Sequence, residues 1–387
     1  MAFAAESENS MKITIARPGD SLDSVARRCG LSGRELAHIN GLGDPRRLTP
    51  GLALAVPGSD DTPQKSLEIS ASPELTVPGT VLQELLPALS YVCPFCLVPQ
   101  PDGTLQPAEE SFVSQQAAQA GVPSFLTLAN LDEGGSYSAA LAHSLLGSEE
   151  TRQALLDSIL CALKLGLYSG VHLSFCYLHP FDRANYNAFL QLAAPALHTG
   201  GWYLSTALAP KEDDSERSLL SAAHDYAVHG ACADRVLLLS YDWGYTYSAP
   251  QAVSPINRIR AVLDYAAGKL PLGKLSLAVS GQGYSWTLPW RLGDRASRLP
   301  HSAAMNLAIS KRSEGRLDTL SQNSTFTYTD NGKQRHVVWF EDVRSIEAKL
   351  RLIEAYGLAG LHFAGVSRLD RAALNYVQSQ YSPERLI

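Results

Sequence analysis

The sequence predicts an α/β protein: a (β/α)8 barrel carrying a small α+β insertion, preceded by a small βααβ module. Three observations carry that prediction. From Leu67 onward, strand-like runs alternate with amphipathic helices, and eight such units fit into about 320 residues, the pattern of a parallel barrel. Between the seventh and eighth runs, Thr325–Thr329 and His336–Phe340 flank Asp330-Asn331-Gly332, a hairpin signal. Before the barrel, residues 11–58 show a strand, two short helices and a strand.

The first module runs as follows. Lys12 to Ala16 alternates as a strand, and Pro18-Gly19-Asp20-Ser21 has turn chemistry, with Asp20 or Ser21 able to cap a helix. Leu22, Val25 and Ala26 give that helix its apolar stripe. Ser32 can cap a second helix holding Leu36 and Ile39, which Asn40-Gly41 ends. Leu48-Thr49-Pro50-Gly51 leads into a last strand, Leu52 to Val56. A polar linker at 59–66 follows. The expected barrel strands are 67–72, 88–95, 122–130, 170–177, 201–207, 234–241, 274–280 and 358–366, and the expected helices include 149–166, 181–197, 216–229, 253–268 and 342–356.

Composition sets bounds. The 387 residues, 45% hydrophobic and 18% charged, allow a large core and two domains. A net charge of −6 argues against a nucleic-acid binder, which carries a basic excess. The opening MAFAAESENS has no basic region and no apolar run of a secretion signal. No apolar run reaches the roughly 18 residues of a membrane span. The expectation is synthesis in a reducing cytoplasm, with the six scattered cysteines mostly free. No cofactor and no metal set is expected.

The first module, with P-G-D-S-L near its start and L-T-P-G-L-A-L-A-V-P at its end, resembles a lysin-motif (LysM) domain. The resemblance implies binding of N-acetylglucosamine-containing glycan such as peptidoglycan or chitin, in a groove formed by Gly19, Asp20, Ser21, Leu22, Asn40, Gly41 and Leu42. A fold that merely packs against another protein is the alternative.

Residues 67–387 resemble glycoside hydrolase family 18, a TIM-barrel family, in its spore-lytic branch. The resemblance rests on A-N-L-D-E-G-G at 129–135, H-D-Y-A-V-H-G at 224–230, L-L-S-Y-D-W-G-Y at 238–245, P-I-N at 255–257, Y-S-W-T-L-P-W at 284–290 and W-F-E-D at 339–342. It also implies the insertion at about 283–340. Family cleavage is substrate-assisted: the 2-acetamido oxygen attacks the anomeric carbon and a Glu on strand four protonates the leaving oxygen. The family carries D-G-x-N-x-D-x-E there. Residues 168–177 read Y-S-G-V-H-L-S-F-C-Y, which puts Ser169, His172, Ser174 and Cys176 at the Asp, Asn, Asp and Glu positions. Period two sends His172, Ser174 and Cys176 to one face of the strand. A thiol titrates near about 8.5 and donates weakly, and general acid catalysis is worth roughly 10² to 10⁴ in rate.

Other pocket positions differ too: Ser72, Gln282, Ser285 and Ala364 stand where the family has an aromatic, Tyr, Asp and Trp. Tyr241 and Asp242 remain in the pocket, and Trp243, Tyr245 and Trp286 are available to bind sugar. Asp182 is the other carboxyl near strand four. Cys93-Pro94-Phe95-Cys96 precedes a loop rather than a helix and reads as two small-residue replacements, not a redox pair. The expectation is a catalytically inactive family 18-like protein that binds peptidoglycan or spore cortex through its LysM domain, in a spore coat or cortex setting where coat proteins are candidate partners. The alternative is an active or altered N-acetylglucosaminidase-type glycosidase acting on cortical peptidoglycan or chitin-like fragments.

Overall fold

Eight short parallel strands close around a polar interior. In the computed structural model, which describes residues 10–43, 47–58, 65–94, 97–105, 111–166, 168–215, 218–366 and 370–386, they are Lys65–Ser72, Tyr91–Val92, Phe125–Ala129, Gly170–Ser174, Tyr203–Leu208, Arg235–Leu239, Leu275–Ser280 and Gly360–Ala364. Neighbours pair in sequence order from the third to the seventh, the eighth pairs with both the seventh and the first, and the first pairs with the second. A parallel bridge from Val92 to Ser124 completes the circle. Residues 59–64 of the expected linker lie outside the described residues, and Lys65 and Ser66 already belong to the first strand.

The alternation in each strand decides what lies on either face. Ile69, Leu126, Leu128, Val171, Leu173, Leu204, Val236 and Leu277 join the main apolar core beneath the helices. The other set is polar. Glu68 accepts from Tyr91 (3.2 Å) and Ser276 (3.3 Å) and pairs with Arg235. One layer up, His172 Nδ1 lies 2.8 Å from Ser205, and His362 is held by Ser70 and Ser72 at 2.8 and 2.9 Å. Gly170 is required here, since a Cβ would sit 2.2 Å from the Tyr203 carbonyl oxygen.

Helices Glu149–Leu165, Arg183–Thr199, Ile256–Ala267 and Val343–Tyr356 fall within three residues of their expected bounds. The helix expected at 216–229 does not form at that length: among the described residues of this stretch only Tyr226–Cys232 is helical, and 218–225 is mostly turn. The reason is His224, which is drawn out of helical geometry. It accepts from Ala209 N–H and donates from Nε2 to the Phe175 carbonyl, joining the ends of strands five and four. Asp225 then caps the shortened helix.

The insertion is a five-stranded antiparallel sheet built from Gln282–Leu288, Ser297–Pro300, Arg316–Leu317, Ser324–Thr329 and Arg335–Phe340, with helix His301–Lys311 packed on it. The N-terminal module pairs Met11–Ile15 with Ala53–Pro57 around helices Leu22–Arg28 and Gly33–Ile39. Ser21 and Ser32 both form capping boxes, with Ser24 and Glu35. The module and the insertion share one apolar cluster, in which Leu36, Leu52 and Leu54 meet Ala304, Met305, Ala308, Phe326 and Phe340. Gly51, at φ 83°, allows that closeness, because a Cβ there would lie 1.8 Å from the Gly315 carbonyl oxygen. Asn375 donates to the Ile39 carbonyl (2.8 Å) and Arg344 to that of Gly51 (3.2 Å), so the module is also tied to the barrel.

Asn40 links the module's second helix to its last strand. Its amide donates to the Leu36 and Ala55 carbonyls (3.0 and 2.9 Å) and accepts from Ala55 N–H (2.8 Å). Asn40→Ala leaves these buried groups unmatched, and a loss of about 1–3 kcal/mol in urea unfolding is expected. Where insertion meets barrel, Glu341 pairs with Lys349, Asp342 with Arg344, and His301 with Asp370 at 2.9 Å. Burial alone would lower the His301 pKa, but Asp370, with Asp342 and Glu341, outweighs it and leaves the pKa raised. The pair's stabilisation is therefore full below the unfolded histidine pKa and disappears as pH rises through the folded one. Thermal melting between pH 5 and 9 is expected to show that loss in the native chain and a flatter curve in His301→Gln.

Candidate active site

The carboxyl ends of the barrel strands form the mouth where barrel enzymes place their chemistry. Strand four delivers Ser174 and Cys176, both buried. Asn130, after strand three, accepts from Cys176 N–H (3.0 Å) and donates to the Cys176 carbonyl (2.9 Å), which fixes the strand end. Tyr137 lies over this end: its hydroxyl is 3.3 Å from Ser174 Oγ, and its ring stacks on Tyr177 at 5.9 Å. Burial pushes the Cys176 thiol up to about 12, although Tyr137 acts in the opposite sense. The thiol is therefore neutral and a weak donor. His172 sits deeper, and burial lowers it to about 4, so it is a neutral hydrogen-bonding group. Ser169 lies before the strand, where its backbone pairs with Ser124 and Tyr203.

Tyr241 and Asp242 follow strand six. Asp242 has a left-handed backbone, φ 63°, which a short polar residue tolerates better than most. Its Oδ1 accepts from the Tyr284 hydroxyl at 3.0 Å. The residue keeps a solvent-exposed surface, yet its carboxyl is recessed. Burial raises its pKa; Tyr284 and Arg298 pull it down, and Glu341 adds to the rise, leaving a net upward shift. Open contact with water tempers that shift. Asp182 is not available for the same role: it is fully buried, held by His143 (2.8 Å) and Asn185 (2.9 Å).

The aromatic residues divide. Tyr177 and Tyr245 are 43% and 41% exposed, and Tyr245 meets the exposed Tyr247 edge-on. Trp243 is half-buried. Trp286, expected on the sugar side, is instead fully buried with Val253, Tyr284 and Ala296, and its indole N–H donates to the Ser248 carbonyl at 2.7 Å. Its faces are covered, so it builds the wall and offers no stacking surface. In the N-terminal module, Asp20, Leu22, Asn40 and Leu42 are likewise interior. Asp20 accepts from Arg17 N–H (2.8 Å) and Arg28 (2.9 Å), fixing the turn whose Gly19 is exposed and whose Ser21 is half-buried. Gly41 is half-buried beside Arg371.

Tyr137 and Tyr284 were not singled out in the sequence as partners of Ser174 and Asp242. Tyr284 is 42 residues from Asp242, and no local pattern joins the two. Among the described residues, no group of three or more His, Cys, Asp or Glu side chains could hold a metal ion. Cys96 lies outside the described residues. No described helix is long and apolar enough to cross a membrane.

Residues 102–363 match the family described as Glycosyl hydrolases family 18, and residues 15–57 match the LysM domain. The chain belongs to glycosyl hydrolase family 18. It is 35% identical over 282 residues to a cortical fragment-lytic enzyme of Bacillus subtilis (strain 168), covering 73% of this chain and 65% of that protein. A cortical fragment-lytic enzyme of Bacillus anthracis is 32% identical, with 72% and 64% covered. The chain thus spans just under two thirds of the length of these relatives. The crystal structure of the Bacillus cereus spore cortex-lytic enzyme SleL superposes with a TM-score of 0.88 at 26% identity, over 97% of this chain and 99% of that one.

These relatives correct the expectation of an inactive barrel. That expectation rested on the acids missing from strand four and on the other altered pocket positions, whereas relatives of this chain are named as lytic enzymes, names that go with activity and not with an inactive barrel. Strand four is one contributor to a mouth that several strands build, and its substitutions do not remove the carboxyl supplied by strand six.

The site geometry has a direct chemical test. Cys176 is buried with its thiol protonated, whereas Cys161 is exposed. Brief alkylation with iodoacetamide at pH 7.5, mapped by mass spectrometry, is expected to label Cys161 and spare Cys176. Rapid labelling of Cys176 would show that strand four ends in an open, polar site.

Proposed function

We propose that the chain is a glycosidase that cleaves N-acetylglucosamine-containing glycan of the spore cortex, with Asp242 as its proton donor. The observation that carries this reading is the Asp242 carboxyl: recessed at the barrel mouth, raised in pKa, and oriented by Tyr284 at 3.0 Å. A raised carboxyl stays protonated to higher pH and so can act as a general acid. The relatives named cortical fragment-lytic enzymes support the substrate class.

In this reading the substrate's acetamido oxygen attacks the anomeric carbon while Asp242 delivers its proton to the leaving oxygen. The ionised Asp242 then offsets the positive oxazolinium-like intermediate. Water opens that intermediate and returns a proton to Asp242, so the cycle closes. The hydroxyls of Tyr137 and Ser174 offer donors to the acetamide. Tyr177 and Tyr245, both exposed, offer faces for sugar stacking. The LysM module would hold the polymer through the loop surfaces around Gly19, Ser21 and Gly41, with Asp20, Leu22, Asn40 and Leu42 shaping those loops from within.

The test is hydrolysis of cortical muropeptides and chito-oligosaccharides by the native chain and by Asp242→Asn. The variant is expected to lose roughly 10² to 10⁴ in kcat with little change in KM. The native rate is expected to fall as pH rises through the raised Asp242 pKa, a limb absent from the variant's residual activity. A native chain that cleaves none of these substrates, or a variant as active as the native chain, would overturn the reading.

A further inference from the structure

Beside Asp242 the barrel mouth opens into a lateral pocket of about 260 Å³, bounded by Pro210 and Glu212 after strand five, Tyr241, Asp242 and Trp243 after strand six, and Arg258 on the helix Ile256–Ala267. This is room for one sugar unit with a substituent, next to the carboxyl that the proposed function assigns to proton transfer. Its far wall is charged. Arg258 engages Glu212 through Nε, and among the described residues its two terminal nitrogens have no partner. The side chain is half exposed.

A guanidinium held at Nε and open at its two terminal nitrogens presents a planar pair of donors, the geometry that matches a carboxylate. Glu212 engages the guanidinium at Nε and leaves its terminal nitrogens to another acceptor. A neutral sugar has no need of such a group. The chain as a whole carries a net charge of −6, so attraction for an anion at this place must be local. Trp243 on the same pocket supplies an apolar surface for a ring.

We infer that this pocket is a subsite for a sugar unit bearing a carboxylate substituent, adjacent to the bond that is cleaved, and that Arg258 is its specificity-determining residue. The inference rests on the glycosidase reading for the meaning of "adjacent", but its test does not need turnover. Calorimetric titration of the full chain would use two probes made resistant to cleavage by replacing the glycosidic oxygen with sulfur: the thio-linked disaccharide of N-acetylglucosamine and N-acetylmuramic acid, and the same disaccharide with its carboxylate converted to a carboxamide. The native chain is expected to bind the acid roughly tenfold more tightly than the amide, with the difference shrinking as salt rises.

Arg258→Gln is expected to abolish that difference, with the acid losing roughly tenfold more affinity than the amide. Glu212→Gln, which keeps the guanidinium, is expected to retain it. Equal binding of acid and amide by the native chain would overturn the inference, as would an equal loss of preference in both variants, which would mark the ion pair as a fold element. A preserved acid preference in a chain that hydrolyses nothing would leave this subsite standing and remove the glycosidase reading instead.

Discussion

Glu68 is the constraint on which the barrel depends. Its carboxylate sits on the first strand and collects Tyr91 from the second, Arg235 from the sixth and Ser276 from the seventh. A buried ion pair adds little net stability by itself, but removing one partner costs about 3–5 kcal/mol because the other charge is stranded. The geometry therefore works as a specification: a circle in which the second strand contributes two paired residues closes at only one register that satisfies the carboxylate. Above it, His172 and His362 continue the polar column as neutral rings, lowered by burial to about 4 and about 3. The interior is thus charged at its base and uncharged in the middle, and a carboxyl appears again only at the mouth.

That distribution shapes the chemistry. With Ser174 and Cys176 uncharged, Asp242 has no acidic neighbour on strand four. Its pKa is raised chiefly by burial, with Glu341 adding and Tyr284 and Arg298 opposing. In a two-carboxylate site, like-charge repulsion sets the proton's place; at Asp242 the upward direction comes first from burial, tempered by contact with water. Trp286 belongs to that wall. Its complete burial under Tyr284 holds the phenol that orients Asp242, so an aromatic residue that looks like a sugar platform acts through a second residue.

The N-terminal module is fixed to this frame. Leu52 and Leu54 on one side and Met305, Ala308 and Phe340 on the other form a common core. The close approach of Gly51 to Gly315 and the Asn375 bond to the Ile39 carbonyl add backbone contacts on separate faces. A polymer bound on the module would accordingly be held at a set distance from the barrel mouth, without the freedom that a tethered module allows. The three ion pairs at the neighbouring joint, Glu341–Lys349, Asp342–Arg344 and His301–Asp370, place buried charge where insertion, barrel and module converge.

Much of this was legible in the chain. Period-two runs such as 170–174 and serine caps such as Ser21 and Ser32 act over a few residues, so they survive in the sequence as local patterns. The family motifs added the barrel's order and its insertion. Interactions that cross the fold were not legible. The helix expected from residue 216 gives way to turns because His224 bridges two strand ends, and the Tyr284–Asp242 and Arg258–Glu212 pairs join residues 42 and 46 positions apart. The sequence by itself determined the elements, their order and the loss of acids from strand four, because those depend on neighbours along the chain. Only the tertiary structure decided which aromatic faces are open, which carboxyl lies at the mouth and which guanidinium lines the pocket beside it, because burial and charge depend on neighbours in space.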